Sequence, residues 1–162
     1  MTSSFELPDP RTSPELFDGL LKRRVMAYII DLFILMFIIS VVMILGAMAG
    51  IVSFGLTLGA MFLAAPLSII LYYAATLGSQ RRATLGMSIM DIVLTPARGA
   101  PLNGWSALAH PLVFWITSWI LPPFSLLVAL FTPRRQMLHD LIVGVLMVRR
   151  SPMERHWNDK SF

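Results

Sequence analysis

Residues 25–45 read VMAYIIDLFILMFIISVVMIL, 21 residues whose only carboxylate or basic side chain is Asp31. The hydrocarbon core of a bilayer takes about 20 apolar residues of helix, and this run supplies them. Leu56–Leu77 supplies a second set, and no other acid or base occurs anywhere from Val25 to Leu77. A water-soluble domain would not sustain such a stretch. The join, 46–55, is apolar and carries three glycines. It predicts a tight turn and an antiparallel transmembrane hairpin.

The rest of the chain agrees. Apolar residues make up 56% of the 162 and charged residues 14%, where a soluble domain has about 25% charged. Intrinsic disorder needs the opposite balance. The net charge of +4 reads as orientation and contact with anionic lipid rather than nucleic-acid binding. The chain has no Cys, which excludes disulfides, thiolate metal sites and Cys nucleophiles within it.

Lys22, Arg23 and Arg24 precede the first run, Arg81, Arg82 and Arg98 follow the second, and the turn has no basic residue. By the positive-inside rule both outer ends of the hairpin, and the N-terminus with them, face the cytoplasm. The N-terminal tail is acidic and Pro-rich and the apolar run is long and starts late, unlike a cleaved signal peptide. Ser13-Pro14-Glu15 is a helix start, and Leu16, Phe17, Leu20 and Leu21 follow at helical spacing. This predicts a short interfacial helix over 14–22, an unstructured tail over 1–12, a membrane domain over 13–150 and a cytoplasmic tail over 151–162.

Trp105–Phe131 is a third apolar segment, ionisable only at His110 and broken by Pro122-Pro123. Two full spans need about 40 residues. One full span would strand Arg134, Arg135, Arg149 and Arg150 on the far side, against the charge rule. The reading that satisfies both is a helical hairpin over 105–131, bent at the prolines, that dips into the bilayer without a second full crossing and returns all four arginines to the cytoplasm. Ile89–Leu94 and Val143–Val148 are short, apolar and β-branched, and predict two strands of a small cytoplasmic ribbon. The fold class is an all-α integral membrane protein, with a transmembrane hairpin, a third bent segment and this ribbon.

Few residues can carry chemistry. Asp31 stands two helical turns below Arg24 on one face. A carboxylate at such depth costs roughly 2.5–3.5 kcal/mol on insertion scales, so it is a proton or cation site or a polar clamp paired with a base. His139-Asp140 opens the last apolar segment after Pro133-Arg134-Arg135. It is either a proton-exchanging pair or a site where Asp140 caps the segment or pairs with the nearby arginines. His110, before Pro111, reads as an interfacial histidine. A metal set of Asp31, His110, His139 and Asp140 can be drawn, but no spacing requires it, and no metal or cofactor is assigned. There is no Gly-x-Ser-x-Gly elbow and no phosphate-binding glycine pattern, so the chain reads as non-enzymatic, without catalytic residues. Gly46-x-x-x-Gly50 and Gly55-x-x-x-Gly59 read as packing seams within the hairpin. The 11 Met read as gap fillers.

Arg24-Val-Met-Ala-Tyr-Ile-Ile-Asp31 resembles the first-helix motif of the RDD family of bacterial membrane proteins, named for one Arg and two Asp. Arg135-Gln-Met-Leu-His139-Asp140-Leu-Ile-Val-Gly144 resembles its second block, with Asp140 as the second Asp. Thr84-Leu-Gly86-Met-Ser-Ile is similar to a middle block that continues from Gly into Lys, where this chain has Met87. The resemblance covers about residues 16–150. It implies a small multi-pass inner-membrane protein, for which transport of an ion or small ligand has been suggested, and a motif of Arg24, Asp31, His139 and Asp140. Three classes follow: a transport component with Asp31 titrating, a non-enzymatic accessory or assembly partner of a larger membrane complex, and, last, an enzyme. A bundle this small would act as a homo-oligomer or within a larger complex, with the lipid bilayer as its other partner.

Overall fold

The computed structural model describes residues 8–96, 104–120 and 122–159. Two helical stretches are long and apolar enough to cross a membrane, Pro14–Val52 and Leu58–Leu77. Within the first, the regular helix α1 runs Leu20–Val52, 33 residues and so about 50 Å long, against about 30 Å of hydrocarbon. Its buried residues are Leu20, Arg24, Ala27, Asp31, Leu35 and Gly50. The first five repeat every three or four positions and form one stripe. That stripe holds both charged residues of the motif, while Phe33, Phe37, Ile44 and Ile51 on the other faces are exposed. Polar inside and apolar outside is the inverse of a soluble helix, and suits a helix solvated by lipid.

Three boundaries differ from the sequence reading. The predicted helix over 14–22 is instead one 3₁₀ turn, Pro14–Leu16, followed by a bend at Asp18-Gly19. Asp-Gly is turn chemistry, and Gly19 takes φ +60. The turn predicted over 46–55 is shifted, because α1 continues to Val52 and the chain reverses over 53–57. Phe54 and Gly55 there adopt left-handed backbone, and the Gly55 N–H donates to the Gly50 carbonyl at 2.8 Å. The second span is composite: a 3₁₀ stretch, Leu58–Leu63, leads into α2, Ala64–Leu77. Pro66 falls in the first turn of α2, where its missing N–H costs least. Gly46 and Gly50 do form a seam, facing the side chains of Met61 and Leu58. The second glycine pair does not, since a β-carbon at Gly59 would meet nothing and Gly55 serves the turn.

A short helix α3, Leu85–Ile89, precedes strand β1, Ile92–Pro96. The third apolar segment forms α4, Gly104–Ile120, and α5, Pro122–Phe131. The hairpin expected over 105–131 is thus two helices, the second beginning at Pro122, and both pack against α6, Leu138–Val143. The Pro122-Pro123 side chains lie outside the described residues, as do Arg98 and most of the expected tail over 1–12. Strand β2, Val145–Arg149, follows α6, and α7, Arg150–Asp159, occupies most of the stretch read as a tail.

β1 and β2 pair antiparallel, Ile92 opposite Arg149 and Pro96 opposite Val145. The ribbon was expected one to three residues earlier on each strand. Thr84 caps α3 and Gly144, at φ +75, ends α6, so the first residues assigned to each strand finish a helix instead. The ribbon's two faces divide the core. Ile92, Leu94, Val145 and Met147 join the cluster built on α1 and α2. Val93, Leu146 and Val148 pack with Leu16 and Met153 on the other side, as the two-residue period of a strand requires. Asp91 ties the ribbon to α7 by accepting from the Ser151 N–H at 2.9 Å and from Arg149 at 3.2 Å.

Candidate functional site

Two carboxylates are buried where α1 meets the ribbon end of the molecule. Asp31 is 5% exposed and accepts three hydrogen bonds. Tyr72 Oη on α2 donates at 2.5 Å, Thr84 Oγ1 at 2.5 Å, and the Gly86 N–H at 2.8 Å. Thr84 does double duty, because the same hydroxyl caps α3 by accepting from the Met87 N–H. Gly86 is required by proximity. A β-carbon there would strike the Ala27 carbonyl and stand 2.8 Å from Asp31 Cγ. All three partners are neutral. The base expected for Asp31 is found elsewhere, because Arg24 turns to the other carboxylate.

Asp140 is fully buried, and Arg24 reaches its Oδ2 at 2.6 Å. The same guanidinium donates to the Arg135 carbonyl at 3.2 Å. Oδ2 also accepts from the Met137 N–H at 2.9 Å, so Asp140 caps α6, as the capping alternative held. The arginine that answers it comes from α1 rather than from the adjacent Arg134-Arg135, a choice only the tertiary fold can make. On the other oxygen, Oδ1, His139 Nε2 approaches at 3.2 Å and His110 Nδ1 at 3.6 Å. Burial pushes the His139 imidazole down to about 3 despite Asp140, so it is neutral at physiological pH. Burial alone would raise the Asp140 carboxyl, but Arg24 and the two imidazoles outweigh it and hold it below its usual range.

His110, read from the sequence as a satisfied interfacial histidine, is buried inside the fold. It is 4% exposed, its Nδ1 has no hydrogen-bond partner among the described residues, and its ring lies 4.9 Å from that of His139. α4 carries it there by folding back over α6.

Beside Asp31 lies a cavity of about 270 Å³, with Arg24, His110 and His139 also in its wall. Met87, standing where the resemblance leads one to expect Lys, is buried in the same wall. All four motif residues, Arg24, Asp31, His139 and Asp140, therefore gather at one place. Tyr72 was missed, being one more aromatic in an apolar run. Thr84 and Gly86 had left a signal, a capping residue two positions before a glycine.

No curated protein and no solved structure matches the chain. The family model of the RDD family matches residues 19–144. Its range takes in Arg24, Asp31 and Asp140 together with the α3 block that supplies Thr84 and Gly86. The chain belongs to the RDD family.

Proposed function

We propose that the chain is a multi-pass inner-membrane protein that takes part in moving a cation or small ligand, with Asp31 as the titrating group. The observation that carries this reading is the cavity beside Asp31, walled by Arg24, His110 and His139. A pocket with convergent polar groups in an apolar frame is the form a small-ligand site takes, and an intramembrane carboxylate is a functional site by default. Both chain ends face the cytoplasm in this reading. Its support is the ribbon, which returns the end of α5 to the side where α2 ended, and the hydrogen bond from Arg150 to the Arg81 carbonyl. A reporter active only in the periplasm, fused after Phe162, is expected to stay silent. A strong signal would overturn the orientation.

For transport, the purified protein in sealed vesicles is expected to give pH-dependent cation flux. Asp31→Asn, normalised to correctly folded protein, is expected to abolish it. Absence of flux from the wild type would overturn the reading. A second reading, an accessory subunit of a larger membrane complex, is favoured by the neutral hydrogen bonds that satisfy Asp31 inside the chain. A clamp of that kind needs no ion. Affinity purification in mild detergent separates the two: a stoichiometric larger complex supports the accessory role, and a homo-oligomer alone supports transport.

A further inference from the structure

We propose that His110, His139 and Asp140 form a binding site for a divalent first-row transition ion, best fitted by zinc. The three residues come from α4 and α6, all are buried, and their ligand atoms lie within 4.8 Å of one another. Zinc binds imidazole nitrogen and carboxylate oxygen at about 2.0–2.1 Å in a tetrahedron, so neighbouring ligand atoms are separated by about 3.3–3.4 Å. Asp140 Oδ1 lies 3.2 Å from His139 Nε2 and 3.6 Å from His110 Nδ1. Those two separations bracket the edge of such a tetrahedron, and the third pair, the two imidazole nitrogens, lies within 4.8 Å and closes on the ion when it binds.

The hydrogen bonding points the same way. Arg24 and the Met137 N–H both bind Oδ2. Among the described residues Oδ1 is left without a hydrogen-bond partner, and His110 Nδ1 is in the same condition. Two buried polar atoms facing each other unsatisfied need an explanation, and an ion between them supplies one. Arg24 then acts as the outer partner that fixes the ligating carboxylate, as metal sites commonly require. Its positive charge beside the ion is offset by Asp31, whose carboxylate is in the wall of the same cavity with only neutral donors around it. The donor set excludes calcium and magnesium, which take six or more oxygens or a largely hydrated shell. Three protein ligands leave a fourth position for water or a small anion, and the cavity bordered by both histidines can hold it. The site does not rest on the transport reading, because a bound ion requires no flux.

The test uses the untagged full chain in mild detergent, stripped with chelator and titrated with zinc itself against a colorimetric chelator. One zinc per chain and a zinc-dependent rise in Tm are expected. His110→Gln and His139→Gln are each expected to weaken binding at least tenfold while elution and far-UV dichroism stay unchanged. In parallel, cobalt added to the wild type is expected to give the intense visible bands of a tetrahedral site, a readout that needs no variant to fold. Absence of saturable binding, undiminished affinity in His110→Gln, or the weak bands of octahedral cobalt would overturn the proposal. Zinc binding without vesicle flux would keep this site and remove the transport reading. Flux without zinc binding would do the reverse.

Discussion

Replacing Arg24 by Ala is expected to destabilise the protein by about 3–5 kcal/mol, the usual cost of leaving one member of a buried ion pair behind. Asp140 is fully buried, and Arg24 is the guanidinium at its Oδ2. Without Arg24 the carboxylate keeps only the Met137 N–H on that oxygen. The Arg135 carbonyl loses a donor as well. The double variant Arg24→Ala with Asp140→Asn is expected to recover part of the loss, since the stranded charge is gone. Thermal unfolding in detergent, followed by tryptophan fluorescence, measures both. An Arg24→Ala protein that melts like the wild type would show that the pair contributes nothing to stability.

Gly86→Ala is expected to cost about 3 kcal/mol or more, although it adds a single methyl group. Overpacking alone costs about 1–3 kcal/mol, and a hydrogen bond to a charged group is worth about 1.5–3 kcal/mol. Here the two losses coincide. The new β-carbon would collide with the Ala27 carbonyl, which is backbone and cannot swing aside, and with the Asp31 carboxylate. To make room, α3 must leave α1, taking the Gly86 N–H and the Thr84 hydroxyl away from Asp31. Gly59→Ala, where a β-carbon meets open space, is the matched control and should be near neutral. Equal melting of the two variants would mean that α3 is not held against α1 at this point.

The membrane character was legible in the sequence because it is a matter of composition. Residues 25–45 and nearly all of 56–77 fall in the two helical stretches long and apolar enough to cross a membrane. The ribbon was legible in kind because β-branched residues cluster at 92–95 and 145–148. Its register was not, because the ends of α3 and α6 are apolar too and merge with the strands in any pattern of hydrophobicity. Asp31 and Asp140 were legible as costly residues, but not their partners. Which base answers which acid depends on how α4 and α6 fold back onto α1. Sequence distance favoured Arg24 for Asp31, and the packed structure gives Arg24 to Asp140. His110 shows the same limit, since its burial comes from the packing of α4 on α6, which the local sequence does not specify.

The Arg24–Asp140 pair also sets an order of events during synthesis. Asp31 finds its donors soon, because Tyr72 is 41 residues downstream and Gly86 55. Arg24 must wait, since the Arg135 carbonyl it will hold lies 111 residues later and Asp140 later still. At roughly 5–20 residues per second that is about 5–20 s. Through this interval the guanidinium of α1 is unanswered. A residue near the start of α1 can bear the delay by reaching toward the headgroups, whereas one a few turns deeper could not. The placement of the arginine at the start of α1 rather than beside Asp31 therefore suits a protein whose last-made segment completes its first-made helix.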